Sequence, residues 1–154
     1  MANRSIKFVL ASTILAATVV MVCAGADKIA AQKAAEEVLA AHPEITGLEV
    51  AATRSKQEGC KTIAATEAKE VGEKCDKDEF TAIKTNQPFV ELEKDEFDVT
   101  VPLHDSAGKI IATAGMDFKA AGQTKETVTR QAKQIAAELE KRFSSKEQLF
   151  EPAK

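Results

Sequence analysis

The 154-residue chain contains no tryptophan and no tyrosine, and it has only two histidines and three cysteines. His42 and His104 stand far apart and belong to no H-x-x-x-H or C-x-x-C-H pattern. The second absence excludes covalent c-type haem, and the first leaves a metal without ligand spacing. His104, Asp105 and Asp117 can be assembled into a metal site on paper, but a turn-side histidine on a solvated face is the favoured reading. There is no G-x-S-x-G, no P-loop and no cysteine placed as a nucleophile, so nothing argues for an enzyme and no cofactor is expected. An excess of positive charge is also missing. The formal charge is −3, and it becomes −5 once Arg4 and Lys7 of the first segment are set aside. Nucleic acid and anionic lipid both demand a basic surface, so neither is expected as a partner.

The segment 8–22 is uncharged and follows Arg4 and Lys7. It is short for a bilayer span of about 20 residues. Ala24, Gly25 and Ala26 supply the small residues that signal peptidase needs, so residues 1–26 read as a secretory signal peptide cleaved before Asp27. Cys23 follows Val22, whereas a lipobox wants a small residue there. The expected location is periplasmic or secreted, and the alternative is a chain anchored by an uncleaved N-terminal segment. Residues 27–143 then make one domain, and from Ser144 periodicity is lost, giving a flexible tail over 144–154. Cys60 and Cys75 are the two cysteines that follow the signal segment. An even number in an oxidising compartment predicts a disulfide, contributing about 3 kcal/mol on the chain-entropy account.

Periodicity supplies the elements. Phe97, Val99, Val101 and Leu103 alternate with polar or turn-forming neighbours, and Asp105 to Gly108 is turn chemistry. Ile110, Ala112, Ala114, Met116 and Phe118 share one face of the returning strand, and Ile111, Thr113, Gly115 and Asp117 share the other. A hairpin of this kind needs further strands or helices over its apolar face. Upstream, a cap at Asp27 and the stripe Ile29, Ala30, Ala34, Val38 and Leu39 predict a helix that His42-Pro43 ends. Its alanine-rich face suits a sheet or, alternatively, a second copy, which would make a homodimer through this helix. Strands are expected at 47–53, 60–65 and 89–93, and Asp76 with Glu79 has capping-box spacing for a short helix reaching about Lys84. A last helix begins at Thr124, with Val128, Ala132, Ile135, Leu139 and Phe143 on its stripe. Glu126 with Arg130, and Glu138 with Arg142, form i,i+4 pairs on its wet side. The order predicts an α+β domain, a five-stranded antiparallel sheet flanked by an N-terminal and a C-terminal helix.

The strand pair around GCKTIAAT, the loop with VGEK and the hairpin DVTVPLHDSAGKIIATAGMDF together resemble the Cache (PAS-like) extracytoplasmic sensor domains over most of the chain after residue 26. The resemblance implies a PAS/Cache-like sheet with a small molecule bound on one side of it. Asp117 in GMDF resembles an acidic position that faces the ligand in some members. The aromatic and arginine constellation of the amino-acid-binding members is absent, in keeping with the lack of tyrosine and tryptophan. No kinase, cyclase or chemoreceptor segment is recognised, so signalling would pass through a separate membrane sensor partner. The function implied is an exported small-molecule-binding or sensing module without its own effector domain. The alternative is a periplasmic protein–protein interaction module with no small ligand. Asp117, Gly115 and Thr113 are expected to meet the ligand, together with His104, on the sheet face opposite the long helices and under the loop 66–77. A carboxylate there favours a cationic or hydroxyl-bearing ligand.

Export makes one direct prediction. Mass spectrometry of the secreted material should give a chain beginning at Asp27, and recovery of 8–22 in the membrane fraction would overturn the signal-peptide reading.

Overall fold

Alanine governs how closely the first helix sits on the rest of the chain. The computed structural model describes residues 28–154, so the expected signal peptide and the expected Asp27 cap lie outside the described residues. Helix α1 (Ala30–Ala41) starts at an N-cap Ile29 that makes no side-chain cap, and it ends at His42. Ala31, Ala34, Ala35 and Val38 are its buried positions. The buried stripe is therefore rotated from the expected one, with Ile29, Ala30 and Leu39 at its margin. Three methyl-sized side chains let the helix approach β1 (Ile45–Thr53) and β2 (Cys60–Ala65) closely. Gln32 exploits this proximity: its amide donates to the Ala65 carbonyl at 2.9 Å and accepts from the Ala65 N–H at 3.1 Å. The alanine face covers the chain's own sheet, the first of the two expected uses of this helix.

The remaining strands are β3 (Phe89–Glu93), β4 (Glu96–His104) and β5 (Ile110–Lys119). All pairings are antiparallel, in the order β2-β1-β5-β4-β3. The alternation in β4 and β5 resolves as expected on one side. Val99, Val101, Leu103, Ala112, Ala114, Met116 and Phe118 join a single apolar core with α1 and α3 (Lys125–Glu140). Val128, Ala132, Ile135 and Leu139 carry the α3 side of that core, and Thr124 caps the helix. Helix α2 (Lys77–Thr85) covers the other face over β3, β4 and β5, and it has the expected Asp76–Glu79 capping box. The wet side of α3 differs from the expected pattern of pairs along one helix. Glu138 meets His42, and Arg142 meets Glu37, so both charges reach across to α1 or its end.

The segment 144–154 corrects the expectation of a flexible tail. Glu147–Phe150 forms a 3-10 turn whose Leu149 is 0% exposed, and Phe150 packs on the same core. The Arg54 guanidinium lies 5.1 Å from the centre of the Phe150 ring. Beyond it the backbone pairs with the entry to α1: Ala30 N–H donates to Glu151 at 2.8 Å and Ala153 N–H to Lys28 at 2.7 Å. Two apolar side chains entering a groove made by distant elements produce no local periodicity, which is why the sequence reads as unstructured. Leu149→Ala should cost about 2–5 kcal/mol in urea unfolding. A loss below about 0.5 kcal/mol would mean that this segment is not part of the cooperative unit.

A candidate acidic ligand cleft

Two glycines set the shape of the polar face. Glu49 lies directly across from Gly115, and Gly47 directly across from Asp117, in the β1–β5 pairing. A Cβ at Gly115 would stand 2.8 Å from Glu49 Oε1, and one at Gly47 would stand 2.3 Å from Asp117 Oδ2. Each glycine thus gives room to a carboxylate on the neighbouring strand. The space beside Gly115, which was expected to meet the ligand, is taken by the Glu49 side chain. On the far side of β5, Asp98 of β4 is the cross-strand partner of Asp117, so two like charges face one another directly.

The segment between β2 and α2 forms the roof. The disulfide Cys60–Cys75, with Cα atoms 5.4 Å apart, closes it. Backbone bonds between Thr62 and Glu73 (2.9 Å), Gly72 and Thr62 (2.9 Å), and Cys75 and Cys60 (3.2 Å) lay its second half along β2. Gly72, at φ 96°, makes the reversal that a side chain would resist. The roof brings Glu70 and Glu73 over a cleft of about 170 Å³ whose walls include Glu49, Asp98, Gly115 and Asp117.

Five carboxylates therefore converge, and among the described residues none of them takes part in an ion pair. Burial pushes the Glu49 carboxyl up to about 7, against a hydrogen bond from Thr62 Oγ1 at 3.0 Å that favours its charged form. Burial, then the charge of Asp117, pushes Asp98 up to about 7. Asp117 is raised by burial and then by Glu96, and Glu70 by burial and then by Glu67. Among the described residues no three His, Cys, Asp or Glu side chains are grouped to hold a metal ion. Chemically, the cleft is a concentrated, partly desolvated negative field.

The residues expected from sequence divide. Asp117 and Gly115 line the cleft. Thr113, on the same strand face, is fully buried, with its hydroxyl 3.5 Å from the Ala51 carbonyl. His104 lies at the other end of β4, about 20 Å along the strand from Asp98 at 3.3 Å per residue. The pairing shifts register there, Ile111 of β5 being the extra residue, and the ring lies between α3 and the end of α2. There Nδ1 is 2.8 Å from Glu140 and Nε2 is 2.7 Å from Asn86. Glu49, Asp98, Glu70 and Glu73 were missed. The available signal was a charge set inside each of two strongly apolar strands, GLEVAAT and FDVTV.

No family model matches the sequence, and no curated protein is similar to it. Solved structures are similar in fold. The Agobacterium tumefaciens repressor BlcR aligns with a TM-score of 0.52 at 7% identity, covering 74% of this chain and 67% of that one. The GAF domain of an Acinetobacter phosphoenolpyruvate-protein phosphotransferase aligns with a TM-score of 0.51 at 10% identity, covering 70% and 76%. The chain has a GAF/PAS-like α+β fold.

The carboxylates fix how stability varies with pH. Asp98 and Glu49 hold protons in the folded chain up to about pH 7, above the ordinary carboxylate range. The folded state therefore binds more protons than the unfolded state between about pH 4 and 7, and stability falls as pH rises through that window. Asp98→Asn should raise stability at pH 8 by on the order of 1 kcal/mol or more and flatten the dependence between pH 5 and 8. Equal urea midpoints for the parent chain at pH 5 and 8 would contradict the carboxylate assignment.

Proposed function

We propose that the chain is a small-molecule-binding sensory module whose ligand is a small organic cation, a primary amine or diamine, held in the acidic cleft. The observation that carries this reading is the convergence of Glu49, Glu70, Glu73, Asp98 and Asp117 without an ion-pair partner among the described residues. An ammonium placed among them offsets repulsion that the fold otherwise relieves by retaining protons. Its N–H groups also suit several acceptors at once. A space of about 170 Å³ is below the range of about 300–1,000 Å³ that houses drug-sized ligands, so only a few heavy atoms fit. The GAF/PAS-like fold supports a ligand on one face of the sheet.

The finer proposal retains the Cache-like assignment, export to a periplasmic or secreted location, the absence of catalysis and signalling through a membrane partner. The joined Cys60 and Cys75 support an oxidising compartment. Thermal unfolding at pH 6 and 8 with methylammonium, 1,4-diaminobutane or acetate tests the ligand class. An amine at 100 times its Kd should stabilise by about 2.7 kcal/mol. Its affinity should rise from pH 6 to 8 as the carboxylates ionise. Asp117→Asn should weaken binding at least tenfold, as loss of a charge-assisted hydrogen bond costs about 1.5–3 kcal/mol. No amine-induced shift at pH 8, or a shift with acetate alone, would sink the cationic-ligand reading.

A further inference from the structure

The two edges of the sheet are treated differently, and the difference points to a protein-docking edge separate from the cleft. At the β2 edge the segment Gly72–Cys75 runs alongside the strand, bonded to it through Gly72 N–H, Thr62 N–H and Cys75 N–H and fixed by the disulfide. That edge is covered. At the opposite end β3 pairs with β4 from Phe89↔Thr100 to Glu93↔Glu96 without a register shift, and among the described residues no strand lies on its outer side. Strands left in this state are commonly blunted by an internal proline, a bulge or a lysine. Phe89–Glu93 has no internal proline, bulge or lysine, and Pro88 only bounds one end; its protection is its shortness and the charges of Glu91 and Glu93, which repel an acidic or like partner and admit a basic one.

Exposed apolar side chains gather at the same edge. Leu92 of β3 is 55% exposed, and Phe80 and Ile83, three residues apart on α2, are 54% and 37% exposed. Helix α2 packs beside β3, with Lys77 bonded to Glu91 at 3.6 Å and set 4.8 Å from the centre of the Phe89 ring. The edge itself is acidic, with Glu91, Glu93, Asp95 and Glu96 exposed in sequence around a lone Lys94. A second copy is a poor occupant, because antiparallel β3–β3 pairing would set Glu91 and Glu93 of one copy against those of the other. We infer that β3 is a docking edge for an extended segment of another protein in which lysine or arginine alternates with apolar residues. The segment adds a sixth strand through its backbone, sets its cations against Glu91 and Glu93 on the α2 face, where their aliphatic stems pass Phe80 and Ile83, and lays its apolar side chains beside Leu92 on the opposite face.

The experiment uses the full disulfide-bonded chain and a labelled seven-residue peptide of alternating lysine and valine. Two control peptides accompany it, one N-methylated at the valines and one with glutamate in place of lysine. Binding of the lysine peptide at 0.15 M salt should slow amide hydrogen exchange across 89–93, and N-methylation should weaken it at least tenfold, since it removes backbone donors and keeps the charge. Glu91→Lys with Glu93→Lys should abolish binding of the lysine peptide and create binding of the glutamate peptide. Leu92→Ser, a milder change, should weaken binding at least threefold with the fold intact. No binding, binding insensitive to N-methylation, or binding that leaves exchange at 89–93 unchanged would overturn the inference; the latter two would describe a diffuse charge contact or occupation of the cleft. Concentration-dependent dimerisation that protects 89–93 without peptide would overturn it in favour of a second copy.

Discussion

Insertion of β5 between β1 and β4 is the constraint on which the structure depends. A strand from late in the chain must pair on one side with its hairpin partner and on the other with a strand from near the start. Its two faces then meet unlike surroundings. Ala112, Ala114, Met116 and Phe118 support two helices, where small and large side chains interleave at close packing. Gly115 and Asp117 face the other way, and the same pairing brings Glu49 and Asp98 beside them. Apolar adhesion on one side of the strand thus holds carboxylates together on the other, against their mutual repulsion.

Local pattern made the elements legible, and distant pairing did not. The β4–β5 hairpin could be read because its alternation is strict and Gly108, at φ 78°, closes its turn. The capping box of α2 and the stripe of α3 were equally local. Asp117 could be singled out, but its neighbourhood could not. Glu49 and Asp98 reach it only through strand order, which single-strand periodicity does not encode. His104 shows the opposite failure. Alternation puts it on the same face as Asp98, but it lies at the far end of β4, where Glu140 and Asn86 take both ring nitrogens.

The polar face is assembled from parts of unequal permanence. Its floor belongs to the central strands, whereas its roof is a short, largely exposed segment that leaves β2 at one end and is held at the other by the disulfide and the capped start of α2. Segments of the second kind sit at the low-stability end of a fold. Glu70, ahead of the part that is bonded to β2, is thus the carboxylate least tied down, while Glu73 is held through its backbone to Thr62 and Glu49, Asp98 and Asp117 sit on the strands. Helix α2 continues directly from that roof and lies against β3, so the cleft and the open edge share one covering element.

The pairing of residues 151–153 with residues 28–30 has a consequence for the order of events in synthesis. The entry of α1 is completed by backbone partners that leave the ribosome more than a hundred residues later, and the centre of the sheet likewise waits for β5. Neither the helix entry nor the sheet can close on a partly made chain. Long-range closure of this kind slows folding, so the chain stays open and extensible until residues 151–153 arrive, and no finished domain exists before then.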